Sequence, residues 1–128
     1  METPGVDENR KQGGRTMELA QEMIKGTVVP VMLKLLAERP MYGYELIKVV
    51  NERTQNALQW KEGTLYPWLH RLEADGLIRG EWGVAESGRH RKYYRITRKG
   101  GTALEKTVNE WVSLSSAVNA VLMAPGVA

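Results

Sequence analysis

The sequence predicts a mainly α-helical fold with one two-stranded β-hairpin in its carboxyl half, followed by a single long helix. Three observations carry this expectation. Apolar residues recur at three- and four-residue spacing through successive segments between Thr16 and Gly76. The period then switches to alternation in "LIRGEWGV" and "RKYYRIT", which flank the turn-forming "AESGRH". From Thr97 to Met123 it returns to steps of four and three. A chain of 128 residues is most simply one domain with a small core.

In chain order, residues 1 to 15 are polar and aperiodic and read as a flexible arm. "TMELAQEMIKG" follows as a short helix over residues 16 to 25, expected to aid dimerisation through Met17 and Met23, with Thr16 as N-cap and Gly26 as its stop. Thr27 then caps "VVPVMLKLLAE", where Pro30 falls in the first turn and sacrifices no intrahelical bond. Apolar residues surround that helix almost completely, which places it at the centre of the core. Pro40 ends it, and an amphipathic helix begins near Gly43, with Leu46, Ile47 and Val50 on its apolar face.

"QNALQW" breaks the period ahead of "KEGTLYPWLHRLEADGLI". Leu65, Trp68, Leu69 and Leu72 form an apolar stripe there, while His70 and Arg71 project elsewhere and Gly76 supplies a left-handed terminus. Two starts fit this helix. With Thr64 as N-cap, Pro67 lies in the first turn at little cost; with a start near Glu62, Pro67 removes one backbone bond and introduces a slight bend. Either way, the amino end presents backbone donors and a positive dipole end suited to phosphate. In the hairpin, Tyr94 and Ile96 share one face and Tyr93 and Arg95 the other. The final helix carries Leu104, Val108, Trp111, Ser115, Val118 and Leu122 at the spacing of a helix-to-helix seam, with Leu114, Ala117 and Val121 in a second stripe beside it.

Helices followed by a two-stranded hairpin make the winged helix-turn-helix order, in which the helix before the hairpin enters the major groove. The expected organisation is a winged helix-turn-helix domain over residues 16 to 97 and a dimerisation helix over residues 98 to 124. Charge supports DNA as the partner. Net charge is only +3, yet Arg79, Arg89, Arg91, Lys92, Arg95, Arg98 and Lys99 crowd a segment that holds only Glu81 and Glu86 as acids. Beyond Val112 no charged side chain occurs, which suits an ending covered by a second copy. Arg71 is suited to backbone or guanine contact, Tyr66 to a phosphate or base, and Tyr44 either to such a contact or to packing its ring with a wet tip. A charge run is more often a solvated face than a site; here its place after a helix of this kind favours the DNA backbone.

The segments "MYGYELIKVV" from Met41, "GTLYPWLHRLEADGLI" from Gly63 and "GRHRKYYRIT" from Gly88 together resemble the PadR transcriptional regulators. The resemblance spans roughly residues 26 to 122 and implies a homodimeric winged-helix regulator, usually a repressor, released from DNA by a small molecule or stress signal. It implies Tyr44, Thr64, Leu65 and Tyr66 at or near DNA, with Arg89, His90, Arg91 and Lys92 as the wing. Where many relatives have a Ser-Pro-like pair, this chain has Lys61 and Glu62; Lys61, His70 and Arg71 complete the expected DNA-binding set. Some members of that family enclose a pore for flat aromatic compounds at the dimer interface. The resemblance therefore implies Trp111, with Val108 and Ser115 beside it, as an effector site. Trp111 equally suits an interface anchor, in an expected interface of Met17, Met23, Leu104, Val108, Trp111, Leu114, Val118, Val121 and Leu122.

Other classes find little support. The absence of cysteine removes disulfides, thiolate metal sites and thiol nucleophiles, and no GxSxG, HExxH or phosphate-binding glycine loop is present. His70 and His90 fall on different elements, so no metal or cofactor is expected and the chain reads as a non-enzyme. "METPGVDENRKQGG" lacks an apolar signal core and no run is long enough to span a bilayer, so a cytoplasmic location is expected. The expected partners are pseudo-palindromic double-stranded operator DNA, a second copy, and a small aromatic or hydrophobic effector. The alternative is a winged-helix protein-interaction module that never binds DNA.

Overall fold

The computed structural model of the chain describes residues 25 to 126. The expected arm, the helix over residues 16 to 25 and its interface residues Met17 and Met23 lie outside the described residues, apart from Lys25. Helix α1 (Val28–Glu38) forms as the sequence demands, with Pro30 in its first turn and Val28, Met32, Leu33, Leu35 and Leu36 all buried. Burial on nearly every side makes α1 the element on which the others pack.

Arg39 and Pro40 turn the chain into a two-residue strand, β1 (Met41–Tyr42). Helix α2 (Gly43–Arg53) follows and buries Leu46 and Val50. Two exposed ion pairs tie α2 to the end of α1: Arg39 to Glu45 at 2.6 Å and Arg53 to Glu38 at 2.5 Å. The connection to α3 (Glu62–Ala74) is strained at Gln55, Asn56 and Gln59, whose φ angles are 53°, 64° and 51°. It is held by the Asn51 side-chain amide, which accepts from the Trp60 amide at 2.8 Å and donates to the Trp60 carbonyl at 3.1 Å. That clamp drives the Trp60 ring into the core at 3% exposure, although the segment carries no helical or strand period.

Helix α3 starts at the earlier of the two expected positions, with Lys61 as N-cap. Pro67 therefore lies inside the helix, where it cannot donate to the Gly63 carbonyl. Leu65, Leu69 and Leu72 are buried and Trp68 is half-buried against the core. At the other end Gly76 takes the left-handed conformation, φ 77°. Its amide donates to the Glu73 carbonyl at 3.0 Å and that of Leu77 to the Leu72 carbonyl at 2.9 Å, closing the helix.

Strands β2 (Ile78–Val84) and β3 (His90–Ile96) form the expected hairpin, from Ile78 opposite Ile96 to Val84 opposite His90. The sheet has a third strand that the sequence reading did not foresee, since β1 pairs with the outer side of β3 and the order is β1-β3-β2. Two residues are too few to show a period, and only the pairing of Met41 with Tyr94 and Tyr42 with Tyr93 defines them as a strand.

The chain ends in α4 (Arg98–Leu122), 25 residues long. Thr97 caps it, accepting from the Gly100 amide at 3.0 Å. The same hydroxyl donates to the Gly76 carbonyl at 2.7 Å, and Lys99 donates to the Asp75 carbonyl at 2.8 Å. The start of α4 is thus tied to the end of α3. The first turns of α4 pack most closely on the body: Gly100 is buried and Leu104 lies partly buried against the core of its own chain. Leu104, expected in the interface, thus spends part of its surface on its own chain. Farther along, Val112, Leu114, Val118, Val121, Leu122 and Met123 are exposed. None of the helices among the described residues is long and apolar enough to cross a membrane.

Candidate nucleic-acid interface

The start of α2, the outer side of α3 and the β2–β3 hairpin enclose a cleft of about 490 Å³. Tyr44, Tyr66, His70, Arg89, His90, Arg91 and Lys92 line it, together with Tyr42, Gly43, Trp82 and Tyr94. Side chains from β1, α2, α3 and the hairpin thus converge on one concavity with no carboxylate in its lining.

Local packing sets each group. A Cβ on Gly43 would lie 2.5 Å from the Tyr66 hydroxyl oxygen and 2.8 Å from its Cζ, so Gly43 is the gap into which the Tyr66 ring folds. That contact fixes the amino end of α3 against the amino end of α2. Tyr44, next in α2, is 59% exposed at the rim. On the hairpin, the Arg91 guanidinium lies 4.3 Å from the centre of the Tyr42 ring, which meets Tyr93 edge to face at 5.5 Å. Stacking holds the cation in place without neutralising it.

Lys92, in the same cleft lining, is paired within the fold. Alternation along β3 turns it toward α3, where its ammonium meets Glu73 Oε1 at 3.3 Å. The other oxygen of Glu73 accepts from the Gly80 amide at 3.0 Å, using a donor that edge strand β2 would otherwise leave open. The Gly80 amide is the chief influence holding the Glu73 carboxyl below the usual carboxylate range; burial opposes it, and the Lys92 ammonium adds to it. Lys92 is thus a brace between helix and hairpin. Burial raises the neighbouring Tyr94 hydroxyl above its ordinary value.

Leu65, expected at or near DNA, has its side chain in the core at 1% exposure. Thr64 and Arg71 do not reach the cleft. They line a shallower hollow of about 440 Å³ on another side of α3, with Lys25, Gly63, Pro67 and Trp68. There the Arg71 guanidinium stacks 5.1 Å from the centre of the Trp68 ring. Lys61 is exposed at the N-cap, outside both concavities, and no side chain caps the helix. Glu62 in the first turn partly offsets the positive dipole end, so the start of α3 is a weaker anion site than its backbone alone suggests. Tyr42 and Trp82 line the cleft as well, outside the expected set. Trp82 carried a usable signal, since it alternates with buried Ile78 along β2 and stands opposite Lys92.

A third concavity, of about 510 Å³, lies between α1, the end of α2 and α4. Pro30, Val31, Leu35, Val50, Leu58, Val108 and Trp111 give it apolar walls, with Lys34 and Arg53 also in its lining. Trp111 is 49% exposed at its edge. Ser115 is not in this groove; its hydroxyl donates to the Val112 carbonyl at 3.2 Å. Among the described residues, no group of three or more His, Asp or Glu is placed to hold a metal ion.

Comparison with known proteins matches this chain to the model of the Transcriptional regulator PadR-like family over residues 32–106. An uncharacterized protein of Lysinibacillus sphaericus is 37% identical over 98 residues, covering 77% of this chain and 90% of that protein. Among solved structures, a PadR family transcriptional regulator from Eggerthella lenta is 32% identical at a TM-score of 0.78, over 91% of this chain and 99% of that one. A PadR-like transcriptional regulator from Bacillus cereus is 34% identical at a TM-score of 0.72, over 81% and 99% of the two chains.

Proposed function

This chain belongs to the PadR-like family of transcriptional regulators, and from that premise we propose that it is a homodimeric DNA-binding repressor acting in the cytoplasm. The cleft between α3 and the hairpin is the observation that carries the reading, because its cations and hydroxyl-bearing rings converge with no carboxylate among them. In this reading α3 enters the major groove, where His70 and Tyr66 face the bases or their flanking phosphates from the cleft, while Arg71 meets the backbone from the separate hollow on α3. Arg89, His90 and the stacked Arg91 follow the backbone, and Tyr44 reaches a phosphate from α2.

The exposed apolar length of α4 supports association with a second copy through Val108, Trp111, Leu114, Val118, Val121 and Leu122. A two-fold pair holds its recognition helices about 34 Å apart, which requires a pseudo-palindromic operator. The groove beside Trp111 supports a flat apolar effector, with Val108 as a wall. Since Thr97 and Lys99 tie α4 to the end of α3, a tilt of α4 imposed at the groove is carried to the recognition helix.

A mobility-shift experiment with the DNA upstream of the reading frame, with and without planar hydrophobic compounds, tests the reading. Selective binding weakened by such a compound is the expected result. Equal binding to all fragments would refute sequence-specific regulation, and an unaltered shift at every compound would remove the effector.

A further inference from the structure

The hairpin carries an apolar surface that its cations do not explain. Trp82 and Val84 alternate along β2 with the buried Ile78, so the strand face that builds the core at its base is bare toward its tip. Trp82 is 71% exposed, although burying an indole is among the largest gains a side chain offers. Its cross-strand neighbour is Lys92 and that of Val84 is His90. Trp82 also lines the cleft with Tyr66 from α3 and Arg89 and Arg91 from the hairpin.

We infer that Trp82 is a DNA-contact residue, packing its ring on the deoxyribose face of the strand that crosses the cleft while Arg89 and Arg91 take the adjoining phosphates. The inference rests on the DNA-binding reading above and adds its non-ionic part. A nucleic-acid backbone alternates apolar sugar faces with anionic phosphates, and this wall of the cleft alternates apolar rings with cations. The complementarity favours DNA over a second copy of this cationic surface, which like charge would repel. The indole N–H provides a donor for a phosphate oxygen at the edge of the same contact.

The test measures binding of a labelled upstream fragment across a salt series for the wild type, Trp82→Ala, Trp82→Phe and Arg89→Ala. Trp82→Ala is expected to weaken binding about tenfold to a hundredfold at every salt concentration with an unchanged log-log slope, because no cation has been lost. Trp82→Phe recovers most of the affinity, and Arg89→Ala flattens the slope. The free variants keep the wild-type melting temperature and sedimentation, as expected for so exposed a ring. Wild-type affinity in Trp82→Ala overturns the inference while leaving the DNA-binding reading intact. A loss accompanied by a flattened slope, or a change of oligomeric state at unchanged affinity, also overturns it. A wild-type protein that binds no fragment fails the underlying reading, and the inference falls with it.

Discussion

Replacing Gly100 with alanine should destabilise the protein, although glycine to alanine inside a helix ordinarily stabilises by roughly 0.5–1 kcal/mol. Gly100 is buried in the first turn of α4, and a Cβ there would collide with the Leu77 carbonyl oxygen and lie 2.7 Å from Ile96 Cγ1. The Leu77 carbonyl is backbone and cannot swing aside. It also accepts from the Thr97 amide at 3.1 Å, so relief requires opening the joint between α4 and β2. Overpacking costs about 1–3 kcal/mol and the loosened hydrogen bond about 1 kcal/mol, leaving a net loss of roughly 1–3 kcal/mol after the helical gain. For a chain of 128 residues that corresponds to a fall of about 4–11 °C in melting temperature. Gly101 is the internal control, because no atom lies within 4 Å of a Cβ built there. Gly101→Ala should raise the midpoint by about 2–4 °C. Calorimetry or urea unfolding at one fixed protein concentration measures both, since the proposed association would make the midpoint concentration-dependent. If Gly100→Ala melts at or above the wild type, the close approach of α4 to Leu77 is refuted.

Glu73→Gln should remove an acid-sensitive part of the stability. The folded-state pKa of Glu73 is lowered, so its contribution is present above the unfolded value and is lost as pH falls through the folded one. Urea midpoints should therefore separate the variant from the wild type at pH 7 and converge below about pH 4; a constant gap would contradict the brace to Gly80 and Lys92. Neutralising Arg89 and Arg91 together should flatten the log-log salt slope of DNA binding by about 2, whereas Lys92→Met, already committed to Glu73, should leave it nearly unchanged. Truncation after Thr107 should give monomers with poor DNA affinity, and an intact dimer in sedimentation would contradict association through α4. Trp111→Ala should abolish the tryptophan fluorescence response to planar hydrophobic compounds; an identical titration removes Trp111 from the groove's ligand contacts.

Features that depend on neighbours along the chain were legible before the fold was known. The apolar circumference of α1, the stripe of Leu65, Leu69 and Leu72, the left-handed Gly76 and the alternation of β2 and β3 each declare themselves within a few residues. Their order was sufficient for the winged-helix architecture, and the cationic run already pointed to a polyanion. The stripe that holds Leu65 also made it a core side chain, so a place at or near DNA, which the family resemblance implies, would rest on its neighbours in the first turns of α3.

Tertiary contacts decided what local periodicity could not. Strand β1 exists because Met41 and Tyr42 find Tyr94 and Tyr93, and Trp60 is buried because Asn51 clamps its backbone. Lys92 stands in the same basic run as Arg89 and Arg91, but the approach of Glu73 pairs its ammonium within the fold. Local pattern is written by a side chain's own hydropathy and backbone preference, which travel with the sequence. Whether a cation is free, a glycine crowded or a tryptophan bare depends on groups brought near by folding, and for this protein those encounters shape the cleft.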